Sequence, residues 1–397
     1  MSLVQTIKEI INAYQKQLLQ IRHHLHANPE LSFEEYQTAA YIKTQLQNMG
    51  ITDIGTMAKT GIVALIKGKN PTIKTIALRA DIDALPITEA NEVPYKSTNI
   101  GVMHACGHDV HTTCLLGAAY VLNQLKNSFE GTIKLIFQPG EEKIPGGASL
   151  LIKEGVLTNP DVSSIIGQHV MPFIPTGKVG FKSGLYMASA DEIYVTIKGK
   201  GGHGAMPHLC IDSVAIAAQL ITQLQQVVSR RANAIIPSVL SFGKVIANGA
   251  TNVIPNQVYL EGTFRTLDET WRAKAHELML NMATHLAEGM GATIDFEIRK
   301  GYPFLKNNES VTQIAKQSAI TYLGAENVVD LDTWMAAEDF AYYSQIVPAC
   351  FYRLGTGNAE KGTTNSVHTP NFNIDEDSLA IGAGLMSFIA IQLLNNH

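Results

Sequence analysis

Apolar residues along this chain recur in two rhythms, one with the period of a helix and one with the period of a strand. Residues 1–21 carry apolar side chains at helical spacing, interrupted by Lys8, Gln15, Lys16 and Gln17, which predicts an amphipathic helix. Short apolar runs at residues 62–67, 72–80, 131–138 and 163–170 predict strands. Between the second and third, residues 112–126 place Leu115, Leu116, Ala119 and Leu122 at the spacing of a buried helix. Alternation of this kind predicts an α/β architecture, a mostly parallel sheet flanked by helices.

Near Asp191 the rhythm changes. Residues 192–198 alternate as a strand, and Asp212 then caps a helix whose Ile216, Leu220, Leu224 and Val227 share one face. Strand-like runs follow at 238–246 and 257–266, then a helix at 268–289 and a strand at 292–299. That order, β-α-β-β-α-β, is the split unit of a small ferredoxin-like α+β domain. The chain then returns to α/β material, with helices predicted at 310–323 and 376–395. One domain is therefore expected from residues 1–186 and 300–397, with a second inserted at 187–299.

Length and composition agree with two cores: the chain has 397 residues, 46% hydrophobic and 16% charged. A formal charge of −5, with Lys200 and the pair Arg230–Arg231 too sparse to track phosphates, predicts no nucleic-acid partner. The polar residues within the first helix break up the apolar core that a secretion signal needs. No run of about 18 apolar residues is evident, so no membrane span is expected. Cys106, Cys114, Cys210 and Cys350 are too few and scattered for a disulfide framework, which makes a reducing, cytoplasmic location the expectation.

The polar clusters carry the chemistry. The strand ending at Ala80 runs into Asp81-Ile82-Asp83, and Met103-His104-Ala105-Cys106-Gly107-His108-Asp109-Val110-His111 precedes the helix at Thr112. The strand through Phe137 ends in Gln138-Pro139-Gly140-Glu141-Glu142, and that through Ile165 ends in Gln168-His169. In open α/β sheets ligands bind outside the carboxyl ends of strands, so these loops converge if the strands are parallel. A thiolate, imidazoles and carboxylates there are the donors of a divalent transition-metal site. Singly, a His is more often a satisfied polar residue and a Cys a small hydrophobe. Together with two adjacent glutamates the balance reverses: one carboxylate holds an ion, the other takes a proton from water. Further on, Gly355-Thr356-Gly357 and Ser366-Val367-His368-Thr369-Pro370 are read as a polar loop before the last helix, with His368 a further candidate ligand.

Competing motifs fail. Gly199-Lys200-Gly201-Gly202-His203-Gly204 matches a dinucleotide-binding fingerprint in form, but Pro207 intervenes before the next helix and no acid follows about twenty residues on. A Cys106 nucleophile with a His base would leave Glu141, Glu142 and His169 unused.

The set Arg79-Ala80-Asp81-Ile82-Asp83-Ala84-Leu85-Pro86, His104-Ala105-Cys106-Gly107-His108-Asp109, Gln138-Pro139-Gly140-Glu141-Glu142, Gly167-Gln168-His169-Val170 and His368-Thr369-Pro370 resembles the aminoacylase/carboxypeptidase-type metallopeptidases. More narrowly it resembles the branch of hippurate hydrolases, auxin-conjugate hydrolases and N-acetyl-diaminopimelate deacetylases. The likeness runs from His23-His24-Leu25-His26-Ala27-Asn28-Pro29-Glu30 to the last helix. It implies two divalent ions per subunit (zinc, manganese, cobalt or nickel) held by Cys106, His108, Glu142, His169 and His368. It implies Glu141 as general base and Asp83 as the residue that orients a ligand. The inserted domain becomes a lid that pairs subunits into a homodimer or higher homo-oligomer. Its His203 would stabilise the oxyanion, often across to the partner subunit, and its Asn252 and Arg265 would hold the substrate carboxylate. Other branches carry a His where Asp81 stands, which leaves open which ion each residue binds. The activity implied is removal of an acyl group from the nitrogen of an amino acid or small peptide. A dipeptidase or carboxypeptidase with the same machinery, or a catalytically silent metal-binding scaffold, are the alternatives.

Overall fold

Strands with every residue buried explain why the first unit forms where it does. The computed structural model describes residues 1–396 and divides into two compact units: residues 1–186, 306–333 and from 339 onward, and residues 187–305 with 334–338. In the first, eight strands lie in the order Ile54–Met57, Gly61–Lys67, Thr132–Gln138, Thr75–Asp81, Ser164–Pro175, Ala349–Gly357, Val179–Phe181 and Val328–Asp330. The four in the middle are mutually parallel, and an antiparallel strand borders them on each side, Gly61–Lys67 and Val179–Phe181. Thr75–Asp81, Thr132–Gln138 and Ala349–Gly357 are buried throughout, as parallel strands covered on both faces must be.

Helices His108–Gln124 and Ser378–Asn395 pack on this sheet and on each other, joined by Leu3–Ala13, Gln15–Ala27 and Glu309–Leu323. Four expectations change here. The predicted first helix is two, Leu3–Ala13 and Gln15–Ala27, because Tyr14 terminates one and stacks on Tyr120 at 3.9 Å. Gly355-Thr356-Gly357 is buried strand, not loop; Cβ atoms at the two glycines would fall 2.3 Å from the Pro175 carbonyl and 2.0 Å from that of Pro172. The strand carrying His169 does not stop there but continues to Pro175. Ser378–Asn395 is, contrary to expectation, long and apolar enough to cross a membrane, with mean hydropathy 1.6. It is 78% buried against protein, which accounts for its apolarity as a core helix.

The second unit has strands in the order Ser238–Ile246, Gln257–Thr266, Asp191–Lys198 and Thr293–Lys300, all antiparallel. Helices Ser213–Gln226 and Glu269–Gly289 bury Ile216, Leu220, Leu224, Ala275, Met279 and Ala283 in a separate core. This is the β-α-β-β-α-β order expected of a ferredoxin-like unit. The Asp212 side chain accepts from the amides of Val214 and Ala215 and starts the first of these helices. Residues 334–338 join the unit because Met187 bridges Trp334 and the Ala188 amide donates to the carbonyls of Trp334 and Ala336.

Asp191 ties this unit together. Its carboxylate accepts from Arg272, pairs with His276 at 2.6 Å and accepts the Gly301 amide at 3.2 Å, with the Asp191 and Arg272 side chains both fully buried. Burial opposes its ionisation, but His276 and Arg272 hold its carboxyl below the usual range. We expect Asp191→Asn to cost about 3–5 kcal/mol, the range for breaking a buried pair, read by denaturant unfolding. Because the folded-state value is depressed, the deficit should be complete above about pH 4. It should shrink progressively as pH falls below that value and reach its minimum once pH passes the lower folded-state value, where wild type protonates too.

Candidate metal centre

Register decides which residues meet. Asp81 pairs with Gln138 and Arg79 with Gly167 across three parallel strands. His169, two residues beyond Gly167, therefore stands level with Asp81 and Gln138. The loop that delivers Cys106 and His108 reaches the same end through Gly107, whose φ of +81 caps the helix His108–Gln124. A Cβ there would come within 2.6 Å of the Val170 side chain, so the turn needs glycine. His368 reaches the site from far along the chain. Its amide donates to the Ala105 carbonyl at 2.8 Å, and its φ of +62 lies in the left-handed region that non-glycine residues rarely adopt.

The five candidate ligands form two overlapping groups. Cys106, His108 and His169 make one and Cys106, Glu142 and His368 the other, donor atoms in each lying within 4.8 Å of one another. The Cys106 sulfur belongs to both, 3.4 Å from His169 Nε2 and 3.3 Å from His368 Nε2. Glu142 Oε1 is 3.2 Å from His368 Nε2. Glu141 and Glu142 together with His108 form a further group.

Two of the imidazoles, His108 and His169, are oriented through Nδ1. His108 Nδ1 donates to Asp83, at 2.9 Å to the carbonyl and 3.1 Å to Oδ1, and its buried Nε2 has no hydrogen-bond partner. His169 Nδ1 donates to the Val170 carbonyl at 2.8 Å, so the neutral ring turns its Nε2 lone pair toward Cys106. Burial, and then Arg353 and His111, hold His169 well below its ordinary pKa. Asp83 is shared between two ligands: Oδ2 accepts the Glu142 amide at 3.0 Å and the Ser32 hydroxyl at 2.7 Å. His111 is fully engaged. Its Nε2 accepts the Val170 amide at 2.9 Å, so Nδ1 carries the proton given to Asp81. It is a strut, not a ligand.

The donors fit a cation. Burial, then Glu142, Glu141 and Asp81, push the Cys106 thiol well above its ordinary pKa, so in protein alone it stays protonated. Burial lowers the His108 pKa, but Asp81 and Asp83 outweigh it and raise it to about 10, favouring positive charge at this ring. A divalent ion supplies that charge and allows the thiol to ionise. Ser32 and Asp339 join the site from the folded structure alone. Asp339 accepts from Arg79 at 2.8 Å, Gln138 at 2.7 Å and the Ala148 amide at 2.9 Å, all behind the Asp81 and Gln138 strand ends. No spacing or strand end marks either residue; a buried acidic residue in Ala337-Glu338-Asp339-Phe340 is the one signal available.

The remaining candidates lie in the second unit. Strand Gly202–His203 pairs with Val253–Ile254, and the Gly204 amide donates to the Asn252 carbonyl at 2.8 Å, so exposed His203 and Asn252 share one small ladder. Arg265, half-buried on Gln257–Thr266, reaches the Thr263 hydroxyl and the Met335 carbonyl, each at 3.3 Å.

Residues 77–392 match the family model described as peptidase family M20/M25/M40. The chain is 39% identical to N-acetyl-L-cysteine deacetylase of Bacillus subtilis, over 98% of this chain and 90% of that one. It is 36% identical to thermostable carboxypeptidase 2 of Saccharolobus solfataricus over the full length of both. A crystal structure from Bacillus subtilis, described as a dinuclear metal binding peptidase from the M20 family, superposes with a TM-score of 0.82 at 36% identity. The match covers 97% of this chain and 100% of that one.

Because Cys106 belongs to both donor groups, Cys106→Ser should weaken metal binding at both, by more than the ~10–100-fold typical of lost outer contacts. His169→Ala and His368→Ala should each impair one group. Equilibrium dialysis followed by metal analysis reads the difference; a Cys106→Ser variant with undiminished metal content would refute the shared sulfur.

Proposed function

The chain belongs to the M20/M25/M40 peptidase family of metal-dependent hydrolases, and we propose that within it this protein is an amidohydrolase that deacylates N-acyl amino acids. The observation that carries the proposal is the meeting of one buried thiol, three imidazoles and a carboxylate from segments distant in sequence, with Glu141 beside them. The 39%-identical N-acetyl-L-cysteine deacetylase supports the substrate class.

We assign Cys106, His108, Glu142, His169 and His368 as ligands of two divalent ions. Bound there, such ions supply a Lewis acid and lower the pKa of water toward neutrality. The rest falls to the chain. Glu141, whose Oε1 accepts the Asp339 amide at 3.3 Å, is the general base. It takes a proton from the attacking water and delivers it to the leaving amine nitrogen as the amide C–N bond breaks. By accepting from His108 Nδ1, Asp83 leaves Nε2 as the nitrogen that would take the ion in place of a proton, and it holds the Glu142 backbone. To His203 we assign the oxyanion, and to Asn252 and Arg265 the substrate carboxylate, for which a planar guanidinium fork is suited. A second reading, peptide hydrolysis from a carboxyl terminus, is favoured by the 36%-identical carboxypeptidase. Rates on N-acetyl and N-benzoyl amino acids against free dipeptides separate the two.

Glu141→Gln should lower kcat by about 10²–10⁴-fold, the span of general acid–base catalysis, with bound metal unchanged; a chelator should abolish wild-type turnover. Activity surviving both treatments would end the proposal. Arg265→Lys keeps the charge but loses the fork, and should raise KM about 10- to 100-fold, the equivalent of one charged hydrogen bond, with a smaller effect on kcat. Michaelis curves over a range of N-acyl amino acids test it, and an unaltered KM would remove Arg265 from the carboxylate site.

A further inference from the structure

We infer that Glu35 is a positioning residue: through the Gly140 amide it sets where Glu141 and Glu142 stand. The inference rests on the roles just given to those two glutamates. Glu35 immediately precedes helix Tyr36–Asn48 and is fully buried. Its Oε1 accepts two backbone amides, Phe33 and Gly140, each at 2.8 Å. Its Oε2 accepts the Thr60 hydroxyl at 2.6 Å. Three loops distant in sequence are thus joined on one carboxylate.

The Gly140 contact matters because of its neighbour. The Gly140 amide is held by Glu35, and the Glu142 amide, two residues on, is held by Asp83 Oδ2 at 3.0 Å. Glu141 therefore sits between two anchored peptide units. The same segment grips the Asp83 side as well. Ser32 Oγ donates to Asp83 Oδ2 at 2.7 Å, and the Glu30 carbonyl accepts the Ala84 amide at 2.8 Å. Residues 30–35 hold both strand-end turns at once.

The clamp is itself fixed. Glu30 accepts the amides of Gln37 and Thr38, at 3.1 and 2.8 Å, and so caps helix Tyr36–Asn48. Phe33 adopts a φ of 67°, rare for an aromatic residue, and its ring lies over Gly140. A Cβ on Gly140, φ +58, would fall 2.3 Å from that ring. Phe33 is thereby seated where only glycine leaves room, and its amide closes the bond to Glu35. Backbone strain maintained by surrounding contacts marks a segment held for its position.

The test uses the full chain loaded with metal. Glu35→Gln keeps an oxygen for both amides and offers its NH₂ to Thr60 Oγ. Glu35→Asp retains the charge but falls a methylene short of Gly140, and Glu35→Met removes the acceptors at similar volume. Thr60→Val removes the hydroxyl alone. Amide hydrogen exchange across residues 138–142, metal stoichiometry, kcat and KM are measured for each. Glu35→Asp and Glu35→Met, whichever folds, should speed exchange at 138–142 and lower kcat about 10- to 100-fold, as a misplacement near 1 Å does, leaving KM within about twofold. Glu35→Gln should restore slow exchange and turnover, and Thr60→Val should lower thermal stability only. Unchanged exchange and kcat in the folded Asp or Met variant would overturn the inference. So would Thr60→Val reproducing their loss, which marks general packing. Absence of wild-type turnover on every N-acyl amino acid would instead sink the amidohydrolase reading, while exchange at 138–142 and metal stoichiometry would still decide the role of Glu35.

Discussion

The parallel register of Thr132–Gln138, Thr75–Asp81 and Ser164–Pro175 is the constraint on which the rest of this structure depends. It aligns Asp81, Gln138 and His169 at one level. These strands are mostly apolar until that level and polar at it, with Arg79 and Lys134 as buried exceptions. Hydrophobic burial thus drives the sheet together and, by doing so, delivers the polar residues to one place. A slip of one residue would turn each side chain to the opposite face and scatter the donors.

Bringing those donors together creates an electrostatic problem that the chain solves in layers. Asp81, Asp83, Glu141, Glu142 and the Cys106 thiol crowd a small volume, and their mutual repulsion must be offset. Behind the site, Arg79 supports Asp81 at 2.6 Å and Asp339 at 2.8 Å. Burial opposes the charge on Asp81, but His108, His111 and Arg79 hold its carboxyl well below the usual range. At the front His169 turns its unprotonated Nε2 toward the sulfur, and the raised His108 pKa marks a place where positive charge is favoured, which a bound cation would supply. The support thus comes from the Arg79 guanidinium and from hydrogen bonds.

Division of labour between the two units follows from their separate cores. The first contains all five proposed ligands and the base, on strand Ser164–Pro175, on the turn after Thr132–Gln138, at and just before one helix N-terminus, and on the turn of His368. The second buries its own helices against its own antiparallel sheet and carries His203, Asn252 and Arg265 on loops and a strand. A unit with an independent core can vary its side chains without disturbing the donor cluster of the other, which suits a family whose relatives range from deacetylases to carboxypeptidases.

Much of this was legible along the chain. Apolar runs ending in Asp81-Ile82-Asp83, in Glu141-Glu142 and near His169, with Cys106-x-His108 before a helix, mark the centre because burial and donor chemistry are local properties. Period-2 and period-3.6 patterns likewise mark the β-α-β-β-α-β order of the second unit. Ser32, Glu35 and Asp339 carry no such mark: their partners lie 51, 105 and 201 residues away in the cases of Asp83, Gly140 and Gln138. Ala349–Gly357 reads as a loop in its glycines because only close approach of the Pro172 and Pro175 carbonyls explains them. Periodicity reports that a side chain is buried and chemical type reports what it can bind, so the sequence alone determines the donor inventory and the elements. Which donors face one another, in which tautomer and on which anchor, is set by contacts between segments that only the folded path of the chain brings within reach.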